Sequence, residues 1–332
     1  MTDTIGRREL LAALGGAAAA WSLAARAQQS SSAVIGFLGT LSPEGFNEPM
    51  RGFRQGLRES GYIEAENLRI EYRWAENRTD RLPAPAADLV SRRVAAIAVT
   101  GGAPAVLAAK AASSTIPVVF ITGDDPIRLG FVTNLARPEG NLTGVSFFNA
   151  ELAAKRLALL RELVPAAARV AVLVNPAIGV TSEATLKDLE QPAQAMGMQL
   201  QVLTASNSRE INGVFDSFER ERPDALFVGP GSFFVSRRVQ LAHLATRHAV
   251  PAVYAERDYV EVGGLMSYGA SLTEAYRQMG VYAGRILRGT QPADLPVLRA
   301  TKFELAINAE TARLLRLTIP PTLLATADEV IE

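Results

Sequence analysis

Few residues in this chain are of types and spacings suited to covalent chemistry. Asp124 and Asp125 are adjacent carboxyls, the groups used for general acid–base catalysis, but Pro126 follows them and a turn with a helix cap competes as the reading. His243 and His248 are five residues apart, so they do not share a helix face as a metal pair four apart would. There is no Gly-x-Ser-x-Gly elbow. No Gly-x-Gly-x-x-Gly follows the first apolar run, which argues against a dinucleotide, and no cofactor is expected.

The chain is better supplied for non-covalent recognition. Gly, Ser and Thr gather at 39–42, 100–102, 122–124, 204–206 and 229–232, directly after apolar runs. Glycine lets backbone approach a ligand, and hydroxyls and free N–H groups at helix starts attract a carboxylate or phosphate. Thr40, Ser42, Thr100 and Thr122 are therefore candidates for the polar end of a ligand, with Gly101, Gly102, Gly123, Asp124, Gly229 and Gly231 beside them. Phe147, Phe233, Tyr254 and Tyr268, the last next to Ser267, are candidates to cover an apolar part. Asn175 and Glu256 are candidates for an amine; Glu256 and Asp258, at an expected crossing, could contact one or merely face solvent. Plain capping competes at each single position; the set as a whole points to a ligand cleft.

Elements that could position these residues alternate along the chain. Apolar runs at 34–38, 68–74, 95–100 and 117–122 read as buried parallel strands, because turn residues bound them. Phe46, Met50, Phe53 and Leu57, spaced 4, 3 and 4, share one face of a helix between the first two. The pattern restarts with the stripe Ala153, Leu157, Leu160 and Val164. Strands follow at 169–174, 200–204 and 225–228, then a helix over 236–248 and a strand at 251–254. Repeated strand–helix alternation predicts an α/β fold of two doubly wound Rossmann-like lobes. Residues 33–146 with 264–295 are expected to form the first lobe, and 147–260 with 300–332 the second. Crossings near 143–147, 256–264 and 295–303 would make a three-segment hinge around a closing cleft.

The first 27 residues read as an export signal. Arg7-Arg8 precedes an apolar stretch over 10–24, and Ala25-Arg26-Ala27 supplies a small-x-small cleavage pattern. The arginine pair resembles a twin-arginine signal, with an ordinary secretory signal as the alternative. No later stretch is apolar enough to span a bilayer. The chain has no cysteine, so neither a disulfide nor the lipidated cysteine of a lipoprotein anchor is expected. Charges balance at 34 basic and 34 acidic residues, which suggests no nucleic-acid partner.

Several longer stretches carry a resemblance. Val34-Ile35-Gly36-Phe37-Leu38-Gly39, Glu71-Tyr72-Arg73-Trp74-Ala75, Thr100-Gly101-Gly102, Gly140-Asn141-Leu142-Thr143-Gly144-Val145, Glu151-Leu152-Ala153-Ala154-Lys155-Arg156, Leu173-Val174-Asn175-Pro176, Gly264-Leu265-Met266-Ser267-Tyr268-Gly269 and Ala327-Asp328-Glu329-Val330-Ile331 together resemble the ABC transporter substrate-binding family that includes tryptophan- and tyrosine-binding members. The resemblance implies a type I periplasmic binding fold and no catalysis. It also implies a soluble periplasmic location and delivery of a small-molecule ligand to the membrane permease of an ABC transporter. Rival readings are a sensor accessory that presents ligand to a receptor, and a periplasmic enzyme with Asp124 or Glu256 as base.

Overall fold

The computed structural model describes residues 32–43, 47–149 and 151–332. The expected export signal, residues 1–27, and Phe46 of the first helical stripe lie outside the described residues.

The first sheet comprises β1 (Ala33–Gly39), β2 (Leu68–Trp74), β3 (Ala96–Thr100), β4 (Val118–Thr122), β5 (Leu142–Ser146) and β11 (Leu298–Arg299). All are parallel, in the order β11-β5-β4-β3-β1-β2. Every residue of β3, β4 and β5 is buried, as strands covered by helices on both faces must be. Helix α1 (Asn47–Glu59) lays Met50, Phe53 and Leu57 on one face of this sheet, together with Tyr276, Met279, Ala283 and Ile286 of α10 (Leu272–Leu287). Helices α2 (Pro83–Ser91) and α3 (Ala103–Ala112) cover the other face through Ala86, Leu89, Val106 and Ala109.

The second sheet comprises β6 (Arg169–Val174), β7 (Gln199–Thr204), β8 (Ala225–Val228), β9 (Ala252–Tyr254), β10 (Met266–Ala270), β12 (Phe303–Asn308) and β13 (Glu329–Ile331). Its order is β13-β12-β10-β9-β8-β6-β7, with β10 and β12 antiparallel and the other pairs parallel. Helices α4 (Ala153–Leu163) and α5 (Gly179–Ala195) bury Leu157, Leu160 and Leu189 on one face. Helix α6 (Ser208–Ser217) buries Ile211 and Phe215 on the other. The helix expected over 236–248 is α8 (Arg238–Arg247), and a short α7 (Ser232–Ser236) precedes it, set apart because Arg237 leaves helical geometry at φ −112°.

The chain passes between the lobes after Ser146, at Ser271 and after Arg299. The Ser271 N–H donates to the Lys302 carbonyl at 3.0 Å, so the second and third passages lie side by side. The expectation of a crossing at 256–264, with the segment from 264 onward in the first lobe, is corrected here. Met266–Ala270 pairs with β9 and β12 in the second sheet, and only α10 and β11 return to the first. At 256–264 the chain instead turns back within the second lobe. The Gly264 N–H donates to the Tyr259 carbonyl at 2.7 Å, and Gly264 lies against the Tyr254 ring. An apolar run identifies a strand without naming its partner, which is why the sequence misplaced this one.

Candidate functional site

Each sheet reverses its strand order once, and ligands of open α/β sheets bind at such points, beyond the carboxyl ends of the strands. In the first sheet the reversal lies between β1 and β3, in the second between β6 and β8. Loops from both reversals meet across one cavity of about 130 Å³. Since a cavity needs roughly 10–15 Å³ to hold one water, the space suits a molecule of on the order of ten non-hydrogen atoms.

The first lobe supplies Thr100, Gly101 and Gly102 from the end of β3 to the start of α3, and Thr122, Gly123 and Asp124 from the end of β4 onward. Gly101 (φ +98°) and Gly102 (φ +84°) adopt backbone that L side chains avoid. Gly101 also sits so close to Thr40 that a Cβ would lie 2.3 Å from its Oγ1. The Thr40 hydroxyl donates to the Gly101 carbonyl at 3.1 Å. The turn is thus held from behind, with backbone facing the cavity. Tyr276 of α10 also lines it, its hydroxyl bonded to the Thr100 hydroxyl.

Asp124 ties the two lobes together. Its Oδ1 accepts from Thr181 Oγ1 of α5 at 2.5 Å, and its Oδ2 accepts from Thr122 Oγ1 at 3.4 Å. Burial pushes this carboxyl above the usual range, against the pull of both hydroxyls. Glu256, after β9, lines the cavity from the second lobe. Burial pushes its carboxyl up to about 7; the Arg156 guanidinium pulls it down and Asp258 adds to the rise. Asp258 lines the cavity too and is raised chiefly by burial. Beneath them lies Arg156 of α4, fully buried. Its Nε donates to the Tyr268 carbonyl at 2.7 Å, and its Nη2 to Asn149 Oδ1 at 3.2 Å. Burial lowers its pKa to about 10.

Of the residues expected from sequence, Thr100, Gly101, Gly102, Thr122, Gly123, Asp124, Phe147, Gly231 and Glu256 line this cavity, and the others do not. Thr40 acts behind the Gly101 turn, and Ser42 is half-exposed farther out. The Asn175 side chain caps the following turn by accepting from the Ala177 N–H at 3.0 Å. Gly229 spaces the chain against Leu173. Phe233 packs on the helix layer of the second lobe, 6.0 Å from the Arg237 guanidinium. Tyr254 is buried and stacks on Tyr259 at 4.3 Å. Ser267 is buried in β10. Tyr268 packs against Phe303 and offers only its carbonyl, to Arg156. These side chains stand perpendicular to the sheet and enter its helix layers, whereas the cavity lies at the strand ends.

Sequence reasoning missed Thr181, Ile178, Val235, Leu272 and Tyr276; Asp258, read beside Glu256 as an amine contact or a solvent-facing residue, lines the cavity. Ile178 and Thr181 follow the strand-end pair Asn175-Pro176 within six residues, a signal that was available. Tyr276 showed only the spacing of a core stripe, and it serves both layers.

Comparison with known proteins agrees with this architecture. The chain is 26% identical to the tyrosine-binding protein of Clostridioides difficile over 281 residues, 85% of this chain and 80% of that one. It resembles the ABC domain of Streptococcus pneumoniae in complex with L-Trp (TM-score 0.82, 24% identity, 91% of this chain and 100% of that chain). It also resembles the ligand-free, open structure of a substrate binding protein with adhesive properties from Clostridium difficile (TM-score 0.68, 24% identity, 90% and 99%). The fold is that of type I periplasmic binding proteins. The model of the ABC transporter substrate binding protein family matches residues 34–331, nearly the whole described chain, and the protein belongs to that family.

Proposed function

We propose that this protein is the exported, soluble binding component of an ABC importer. It captures an amino acid or an aromatic carboxylate between its lobes and presents it to a membrane permease. The observation that carries the reading is the cavity itself, walled by the switch points of both sheets and bridged by Asp124 and Thr181. A ligand that touches both walls favours the shut arrangement over the open one, and closure follows as a population shift. The ligand's carboxylate would meet backbone N–H groups at the start of α3, where the helix dipole is positive. Its apolar part would lie against Phe147, Ile178, Val235 and Tyr276.

The names of the relatives support an amino-acid ligand. At equal identity the chain superposes better on the L-Trp complex than on the open, ligand-free structure, which fits a shut cleft. Binding rather than turnover is the expected activity, and the periplasm the expected location. Among the described residues no helix is long and apolar enough to cross a membrane. Thermal-shift screening of the purified protein against L-amino acids and aromatic acids tests the reading. A true ligand at a hundredfold excess over its Kd should add about 2.7 kcal/mol of stability, and denaturing mass spectrometry should return it unaltered. If no compound of either class shifts the melt, the proposed function is wrong.

A further inference from the structure

All the charged side chains on the cavity wall are acidic. Among the described residues they are Asp124, Glu256 and Asp258; no lysine, arginine or histidine lines the space. Asp124 is occupied by two threonine hydroxyls. Glu256 and Asp258 receive no hydrogen bond and no ion pair from another side chain among the described residues. The arginines that act on them stand behind the wall. Arg156, which acts on Glu256, gives its Nε to Tyr268 and its Nη2 to Asn149, while its buried Nη1 has no hydrogen-bond partner among the described residues. Arg238 and Arg257 act on Asp258 from outside the cavity; Arg257 is paired with Glu261 and Glu329. Tyr259, Glu261 and Tyr276 are further titratable groups facing this pair.

A carboxylate taken out of water needs a counter-charge near it. The arginines that act on this pair are not among the cavity lining, which holds no cation, so a cation within the cavity has to arrive with the ligand. The first-lobe wall of the cavity is built differently. At Thr100, Gly101 and Gly102 a ligand carboxylate would meet backbone N–H groups and the partial charge of a helix terminus, on the order of half a unit, with no fixed cation. The two ends of an amino acid would therefore be held unequally: the ammonium by whole charges, the carboxylate by a fraction of one.

Resting on the reading that this cavity is the ligand site, we propose that it selects a protonated amine carrying an apolar body. Glu256 and Asp258 are the specificity-determining residues, and a carboxylate on the ligand is dispensable. The preferred class includes aryl-alkyl amines and amino-acid amides, and it excludes aromatic acids that lack an amine.

Four probes sharing one aromatic body separate the alternatives: L-tyrosine, L-tyrosinamide, tyramine and desaminotyrosine, titrated calorimetrically into the purified protein at neutral pH. Tyrosinamide and tyramine should bind within about tenfold of tyrosine or tighter, and desaminotyrosine should bind more weakly by about a hundredfold. Glu256→Gln and Asp258→Asn should each weaken tyrosinamide by about tenfold, with unchanged circular dichroism reporting an intact fold. Desaminotyrosine binding as tightly as tyramine, or tyrosine exceeding tyrosinamide by more than about a hundredfold, would overturn the proposal while leaving the cleft as the binding site. Unchanged tyrosinamide affinity in both variants would remove Glu256 and Asp258 as its basis. Failure of all four probes to bind would remove the cleft reading and this proposal together.

Discussion

At the scale of single residues, Glu256 links the site to stability. Its carboxyl holds a proton up to about 7 in the folded protein, against roughly 4.3 in an unfolded chain. Between those values the folded form binds more protons than the unfolded one. The contribution is fully present below the lower value and is lost as pH rises through the upper one. Glu256→Gln should therefore stabilise the ligand-free protein at about pH 8 by on the order of 1 kcal/mol, read as a higher melting temperature. Below about pH 4 the variant and the parent should nearly coincide. Melts of both proteins across this range check it; a pH-independent difference would mean that the carboxyl is not buried as described. Residue identity alone showed that Glu256 and Asp124 were worth watching. It could not tell that Tyr254 and Tyr268 turn into helix layers while Tyr276 reaches the cavity. That depends on which face of an element meets which neighbour.

At the scale of elements, two contacts decide how the lobes are built and how they shut. Helices α1 and α10 approach closely because glycines face each other's backbone. A Cβ at Gly280 would lie 2.2 Å from the Phe53 carbonyl oxygen, and one at Gly56 would lie 1.9 Å from that of Arg277. Gly280→Ala should force the helices apart and cost roughly 1–3 kcal/mol, read as a lower urea midpoint. A midpoint at or above that of the parent would contradict the packing. The second contact is the Thr181–Asp124 bond between the lobes. Thr181→Val keeps the shape and removes the donor. It should weaken ligand binding by about 1 kcal/mol and increase the radius of gyration measured by small-angle X-ray scattering. An unchanged radius would show that the bond does not hold the cleft shut. The helical stripe Met50, Phe53 and Leu57 was legible in the sequence because its partners repeat at helical spacing. The glycine seam against α10 was not, since it joins segments more than two hundred residues apart.

At the scale of the whole molecule, neither lobe is a continuous piece of chain. The first needs α10 and β11 from beyond residue 271, and the second closes with β12 and β13. A fragment ending at residue 146 would leave the Met50, Phe53 and Leu57 face of α1 uncovered. It should lack a cooperative thermal transition and bind a dye for exposed apolar surface; a sharp two-state melt would show that α10 is not required. The sequence by itself determined the alternation of strands and helices, the two-lobe α/β class and the polar, glycine-rich strand ends. These are local properties: periodicity, turn residues and apolar runs act over a few positions. Tertiary structure alone decided that β10 joins the second sheet, that the hinge passes at Ser271, and that the cavity wall carries three carboxyls and no cation among the described residues. Sheet partners and wall residues are chosen by contacts between distant segments, whose burial no local pattern encodes.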